Sequence, residues 1–310
     1  KYSFAKNKID SEAKLLAELF ELKGVKFISE IKGQFAISIY NVFENKLYLF
    51  RDRFGIRPLF FKHYKDTFLY ASEIKSIVAF EENSVETSLM GIASTSLFWT
   101  NIGDRTSFKN IFQIPPGCYL VYCGDKIEIK RYWENPICLV NKDDKIDKNF
   151  KFEKFYELLK DAINRQIFGE VGFSSYLSGG IDSSVLAFML TKIQNSPIDT
   201  FSVEFENKEY DESGAQKKIK NIIKSKHFSL KVSNQDIADN FEKTVHHAEC
   251  HLFRTAPVPM YLLAKHVRAK GHKVVFTGEG ADEILLGYDL FGETKIRKFW
   301  SKAPTSKIRP

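Results

Sequence analysis

The sequence predicts an α/β protein whose two halves differ in texture, and three observations carry that prediction. An apolar run from Val171 to Leu177 is followed by the glycine turn Ser178-Gly179-Gly180 and a second apolar run from Val185 to Leu190, the order strand, turn, helix. Beyond residue 150, short β-type runs alternate with helical patterns, which implies a parallel, doubly wound sheet with helices on both faces. Before residue 135, short alternating strands separated by turn signals imply antiparallel sheet.

The early half opens with an amphipathic helix over Ser11–Leu22, with Leu15, Leu16, Leu19 and Leu22 along one side. Gln34–Tyr40 and Lys46–Phe50 flank Phe43-Glu44-Asn45 as a hairpin, and Pro58–His63 with Thr67–Ala71 form a second pair. Cys118–Cys123 and Lys126–Lys130 flank Gly124-Asp125, a turn dipeptide suited to a two-stranded ribbon. Arg51, Asp52 and Arg53, around Gly55, are expected to secure a strand turn. The polar stretch 141–150 is expected to be a linker between a domain at 1–140 and a domain at 151–310.

In the later half, helices are predicted over Phe152–Ile167, Ser183–Ile193, Glu212–Ile223, Ile237–Ala248 and Pro259–Lys270. Strands are predicted over Phe173–Leu177, Ile198–Glu204, Lys226–Val232 and Lys273–Thr277. No internal repeat is visible.

Composition narrows the class. The 310 residues are 44% hydrophobic and 27% charged, enough for one large or two ordinary globular domains. The net charge of +7 comes from scattered lysines that form no stripe or module, so nucleic acid is not an expected partner. Cys118, Cys123, Cys138 and Cys250 form no C-x-x-C pair, which fits a reducing compartment, and a cytoplasmic location is expected. No apolar run approaches the ~20 residues of a membrane helix, and a membrane is not an expected partner.

The chemistry concentrates in two glycine-rich turns at predicted strand ends, where open α/β sheets bind ligands. In Ser178-Gly179-Gly180-Ile181-Asp182-Ser183-Ser184 the glycines allow close approach to an anion, and the following helix aims its N–H groups at it. Ser178, Ser183 and Ser184 add hydroxyls, and Asp182 stands where a phosphate-bound cation would sit. The common Gly-x-x-x-x-Gly-Lys-Ser/Thr loop is absent. The second turn, Thr277-Gly278-Glu279-Gly280-Ala281-Asp282-Glu283, holds three carboxylates in five residues. Taken alone it could be a tight turn with helix-capping acids. Paired with the first, it lets Asp182 and Asp282 share Mg²⁺ against a triphosphate, because Mg²⁺ takes a few carboxylates plus phosphate oxygens.

LSGGIDSS at 177–184 resembles the pyrophosphatase loop of ATP-dependent adenylating ligases, and TGEGADE at 277–283 resembles the second loop of glutamine-hydrolysing asparagine synthetases. The segments at 33–41 (GQFAISIYN), 51–60 (RDRFGIRPLF) and 71–77 (ASEIKSI) resemble that family's glutaminase half, and 254–283 resembles its synthetase half. The resemblance implies a partial amino-terminal-nucleophile-hydrolase-like αββα domain followed by an ATP-pyrophosphatase domain. It implies ATP-dependent conversion of aspartate to asparagine through an aspartyl-adenylate, with ammonia from glutamine, and AMP and pyrophosphate as products. Aspartate, glutamine and ATP are the implied partners, Mg²⁺ the implied cofactor, and a homodimer the family's frequent state.

Residue by residue, the resemblance places Ser178, Gly179, Gly180, Asp182, Ser183 and Ser184 on the pyrophosphate. It places Leu177, Val203, Thr277 and Gly278 at the nucleotide, Asp182 and Asp282 on the metal, and Glu279 in forming and consuming the adenylate. Glutamate at 279 separates this chain from the β-lactam-forming relatives, which carry tyrosine there. Asp10 matches the residue that binds the α-amino group of glutamine, and an N-cap of the first helix is an equal reading. Glu249 is expected to be a solvated helix-end carboxylate, with the cleft as the alternative. His246, His247 and His251 lack zinc spacing and are expected at the surface.

The chain departs from the family pattern in three places. None of its cysteines opens the chain, where the family has its glutaminase nucleophile, and the family's later lysine would lie beyond Pro310. A fragment truncated at both ends, without glutaminase activity, is therefore expected. Leu286 replaces the first glycine of the usual Gly-Gly-Tyr, which here reads Leu286-Gly287-Tyr288. Two further readings stay open: an amide-forming ligase of a secondary-metabolite or polysaccharide pathway, and an inactive nucleotide-binding fragment.

Overall fold

A computed structural model describes residues 11–80, 85–135, 148–167, 171–206 and 212–300. The chain divides into two units: Lys1–Val140 with Val245–Phe253, and Asn141–Thr244 with Arg254–Pro310. Most of the expected linker lies outside the described residues.

The first unit begins with helix α1 (Glu12–Lys23), capped by the Ser11 hydroxyl, which accepts from Lys14 N at 3.3 Å. A 3₁₀ segment, Gly24–Glu30, follows. Strands β1 (Ala36–Asn41) and β2 (Lys46–Arg51) form the first hairpin, and β3 (Phe60–Tyr64) and β4 (Thr67–Ala71) the second. Short helix α2 (Ile74–Val78), helix α3 (Leu89–Phe98) and β5 (Phe112–Gln113) lead to the ribbon β6 (Cys118–Cys123) and β7 (Lys126–Arg131).

The strands make two antiparallel sheets, ordered β1-β2-β6-β7 and β4-β3-β5. Period-two alternation along β2 sends Tyr48 and Phe50 to one face and Leu49 to the other. Tyr48 and Phe50 pack with Leu19 of α1 and with Phe27. Leu49 joins Leu120 of its own sheet and Phe61 of the second sheet between the layers. Ile74 and Ile77 of α2 then cover the outer face of β3 and β4. The layering is helix, sheet, sheet, helix, the αββα arrangement. Full burial of an aromatic such as Phe50 contributes about 2–3 kcal/mol.

The turn after β2 is held by two buried charges. Asp52 accepts four backbone N–H groups: Phe54 at 3.1 Å, Ile56 at 3.0 Å, Phe35 at 3.3 Å and Arg57 at 2.9 Å. Arg51 donates to the carbonyls of Gly55, Arg57 and Ile114 and to Gln113 Oε1. Both side chains are spent on holding the turn, as the sequence suggests.

The second unit alternates strand and helix: α4 (Lys148–Gln166), β8 (Phe173–Tyr176), α5 (Ile181–Gln194), β9 (Asp199–Phe205), α6 (Ser213–Ile223), β10 (Lys226–Val232), α7 (Asn234–Ala248), α8 (Pro257–Ala269), β11 (Val274–Phe276), α9 (Ala281–Leu285) and α10 (Asp289–Trp300). The sheet is parallel with order β10-β9-β8-β11. One face is covered by α4, α5 and α6 through Ile163, Ala187, Leu190 and Ile223, and the other by α8 through Leu263 and Val267 against Phe201. This is the doubly wound sheet predicted from the alternation. Among the described residues no helix is long and apolar enough to cross a membrane.

Candidate active site

Sheet order decides where a ligand can sit. From β8 the chain winds outward through β9 and β10, then returns to the opposite side of β8 as β11. The order reverses between β8 and β11, and open α/β sheets bind ligands at that switch, beyond the carboxyl ends of the strands. The turns after β8 and β11 are the two glycine-rich loops.

The loops touch. A methyl group placed on Gly278 would lie 3.2 Å from Asp182 Cβ and 3.2 Å from Ser183 N, so a side chain here would press the two loops apart by a few tenths of an ångström. Gly179 is tighter still: its methyl group would meet Ala215 Cβ at 2.9 Å and Glu212 Cβ at 3.1 Å. The need for glycine at 179 therefore comes from α6 packing onto the loop. Gly280 has φ +89°, a left-handed conformation that side chains disfavour.

Together the loops line a cavity of about 420 Å³, inside the range of small-molecule sites. Leu177, Ser178, Asp182, Ser183, Val203, Thr277, Gly278, Glu279 and Asp282 from the sequence-derived site all line it. Gly179, Gly180 and Ser184 belong to the same loop but not to the cavity wall. Asp10 lies outside the described residues.

The first loop's hydroxyls shape the loop itself. Ser183 is buried; its Oγ accepts from Ser178 N at 3.1 Å and pairs with Ser178 Oγ at 2.8 Å. Ser184 Oγ donates to Gly180 O at 2.6 Å. The first intrahelical bond of α5 runs from Ser184 N to Gly180 O at 3.3 Å, so the N–H groups of Ile181, Asp182 and Ser183 precede the helical ladder. They are the donors that the positive end of α5 offers to an anion. Gly179 N donates to the Glu212 carboxylate at 2.9 Å.

The second loop runs into α9 and then a left-handed residue. Leu286 has φ 61° and ψ 43°, the conformation that a glycine at this position would take without strain. Gly287 then lies against Asp282: a methyl group there would overlap Asp282 Oδ1. Tyr288 donates its hydroxyl to Glu283 Oε1 at 2.8 Å, and that bond pushes the phenol pKa up. Tyr176, on the cavity wall, has its phenol pushed up by burial.

Several lining residues carry no signal in the linear sequence: Tyr176, Ser202, Gln216, Pro259, Met260 and Leu263. They come from helix faces or strand positions that only the folded sheet brings to the cavity. Glu212 was open to detection, because it follows the carboxyl end of β9, where the strand-end rule applies.

Glu249 corrects the expectation made for it. Its side chain is only 9% exposed and accepts from Ile74 N at 2.6 Å and Lys75 N at 2.7 Å, with Lys75 Nζ at 3.2 Å. It is neither solvated nor in the cavity; it caps α2 in the first unit. Among the described residues no group of three or more His, Cys, Asp or Glu side chains is placed to hold a metal, so His246, His247 and His251 form no such centre. Asp182 and Asp282 line the same cavity, and a cation that keeps water and phosphate oxygens as its other ligands needs only a few carboxylates from the protein.

Residues 154–308 match the family model described as asparagine synthase, and residues 2–133 match the one described as a glutamine amidotransferase domain. The chain is 32% identical to amidase chyE of Penicillium rubens, over 91% of this chain and 44% of that protein. It is 28% identical to the glutamine-hydrolyzing asparagine synthetase 1 of Bacillus subtilis, over 96% of this chain and 46% of that one. The chain thus spans about half the length of the curated relatives it matches. Among solved structures, the NH3-dependent NAD synthetase of Campylobacter jejuni aligns with a TM-score of 0.33 and 20% identity, covering 44% of this chain and 60% of that one, a likeness too remote to bear weight.

Proposed function

Because the chain belongs to the asparagine synthase family, we propose that its second unit activates a carboxylate with ATP and passes the acyl group to ammonia, with aspartate as the carboxylate and glutamine as the nitrogen source. The observation that carries this reading is the contact of two strand-end loops at the sheet's switch point, Gly278 against Asp182, with Glu279 and Asp282 on the same cavity wall.

The chemistry explains the loop. A carboxylate resists ammonia because its charge repels the nucleophile and oxide is a poor leaving group. In the first step an aspartate oxygen attacks the α-phosphorus, the α–β bridging bond breaks, and pyrophosphate leaves with its electron pair. The N–H groups that open α5 hold the departing phosphates, and they are already in place when charge develops. In the second step ammonia attacks the acyl carbon, AMP leaves, and the surplus proton passes to a base. Glu279 is the carboxylate on the wall suited to take it. Asp182 and Asp282 would hold Mg²⁺, whose chemistry there is to offset the charge of the departing pyrophosphate. The first unit, with its glutamine amidotransferase match, would be tied to the supply of ammonia.

The test is product analysis with the purified full-length protein, ATP, aspartate and either glutamine or ammonia. Asparagine, AMP and pyrophosphate are expected, and release of ADP and phosphate would rule out adenylation. Asp182→Ala is expected to lower aspartate-dependent pyrophosphate release by at least about a hundredfold; retained release would remove Asp182 from the site. A second reading, an amide-forming ligase acting on another carboxylate, is favoured by the higher identity to amidase chyE than to the Bacillus subtilis synthetase. A panel of carboxylates, scored by pyrophosphate release, separates the two.

A further inference from the structure

A buried line of polar side chains runs from the interior of the second unit to the cavity wall. Ser225, Thr200, His227, Ser202 and Gln216 follow one another at 2.9 Å (Ser225 Oγ to Thr200 Oγ1), 2.9 Å (Thr200 Oγ1 to His227 Nδ1), 3.0 Å (His227 Nε2 to Ser202 Oγ) and 2.9 Å (Ser202 Oγ to Gln216 Oε1). Gln216 Nε2 then donates to Val203 O at 3.3 Å. Thr200, Ser202, Gln216 and Ser225 are all buried, and Ser202, Val203 and Gln216 line the cavity.

The direction of every bond follows from the last one. A carbonyl only accepts, so the amide nitrogen of Gln216 faces Val203 and its oxygen faces Ser202. Ser202 has one proton and spends it on Gln216 Oε1. Toward His227 it must accept, so Nε2 of the ring carries hydrogen. In a neutral ring Nδ1 is then the acceptor for Thr200, and Thr200 accepts from Ser225. Protonating the ring would put a second donor against Thr200 and reverse both hydroxyls.

The surroundings favour the neutral form. Burial lowers the His227 pKa, Lys220 on α6 lowers it further, and Glu204 on β9 opposes them. With a depressed folded-state value, the stabilisation is fully present above the unfolded value of about 6.5 and is lost as pH falls through the folded value.

An amide nitrogen has two hydrogens, and Val203 takes one. Accepting the cavity as the ATP site, we infer that Gln216 presents the second to an acceptor on the bound nucleoside, and that His227 is the positioning residue that sets this orientation through Ser202. Gln216 thereby becomes a specificity-determining residue, selecting a ligand edge that accepts a hydrogen bond.

The tautomer is read by ¹⁵N NMR of the imidazole and ATP affinity by calorimetry, with steady-state kinetics alongside. A neutral Nε2–H ring at pH 7 is expected. His227→Phe is expected to weaken ATP binding about tenfold, with most of the kinetic effect in KM. His227→Gln keeps a donor toward Ser202 and is expected to recover affinity to within about threefold. An Nδ1–H or charged ring at pH 7, unchanged ATP affinity in the Phe variant, or a Gln variant as weak as Phe would each overturn the inference while leaving the ATP site standing. Failure of the wild-type protein to bind ATP would overturn the site reading and the inference together.

Discussion

Single residues in this chain separate into those that face the cavity and those that hold backbone, and residue type alone does not tell them apart. Asp52, Asp182 and Asp282 are all aspartates near glycines. Asp52 is 1% exposed and satisfies four N–H groups, whereas Asp182 and Asp282 face a cavity. Truncating Asp52 would leave four backbone donors without their carboxylate, so Asp52→Ala is expected to cost about 3 kcal/mol in urea unfolding while sparing residues 171–244 from any direct change. A loss below about 1 kcal/mol would mean that water replaces the carboxylate. That Asp182 and Asp282 line one cavity was legible because each follows a strand and a glycine. The role of Asp52 was legible in outline from its place after a strand. Glu249 was misjudged because a helix-end position suggests solvent, and its partners Ile74 and Lys75 lie about 175 residues earlier.

At the level of elements, periodicity located the strands and helices that bury one face. The hairpins and the helices α1, α5, α6, α7 and α8 fall within a few residues of their expected places. The short helices α2 and α9 and the 3₁₀ segment were not anticipated, because one or two turns give no period to detect. The turn after α9 offers a paired test. Leu286 is left-handed and 60% exposed, so Leu286→Gly relieves strain and gives up little burial. It is expected to raise amide-exchange protection of Gly287 N–H, bonded to Asp282 O at 3.0 Å, by about fivefold, equivalent to about 1 kcal/mol. Gly287→Ala should act oppositely, forcing Asp282 Oδ1 away and weakening Mg²⁺-dependent ATP binding about tenfold or more. Equal behaviour of the two variants would show that the turn does not control Asp282.

For the whole molecule, the decisive fact is that the first unit is not one continuous stretch: Val245–Phe253 belongs to it. Residues 1–140 expressed alone lack the Glu249 carboxylate that caps α2. Protection of the Ile74 and Lys75 amides is expected to fall about thirtyfold there, equivalent to about 2 kcal/mol, and Glu249→Ala in the whole chain should reproduce the loss. Undiminished protection in both would mean the cap is dispensable. The sequence by itself determined the α/β class, the parallel winding of the later half and the two loops of the candidate site, because each depends on local periodicity or on glycine and carboxylate spacing within a few residues. Only the tertiary structure decided that the loops touch through Gly278, that Glu249 serves the first unit, and that His227 reaches Gln216 through Ser202. Those outcomes depend on which strands become neighbours, and strand order is set by packing across the whole sheet.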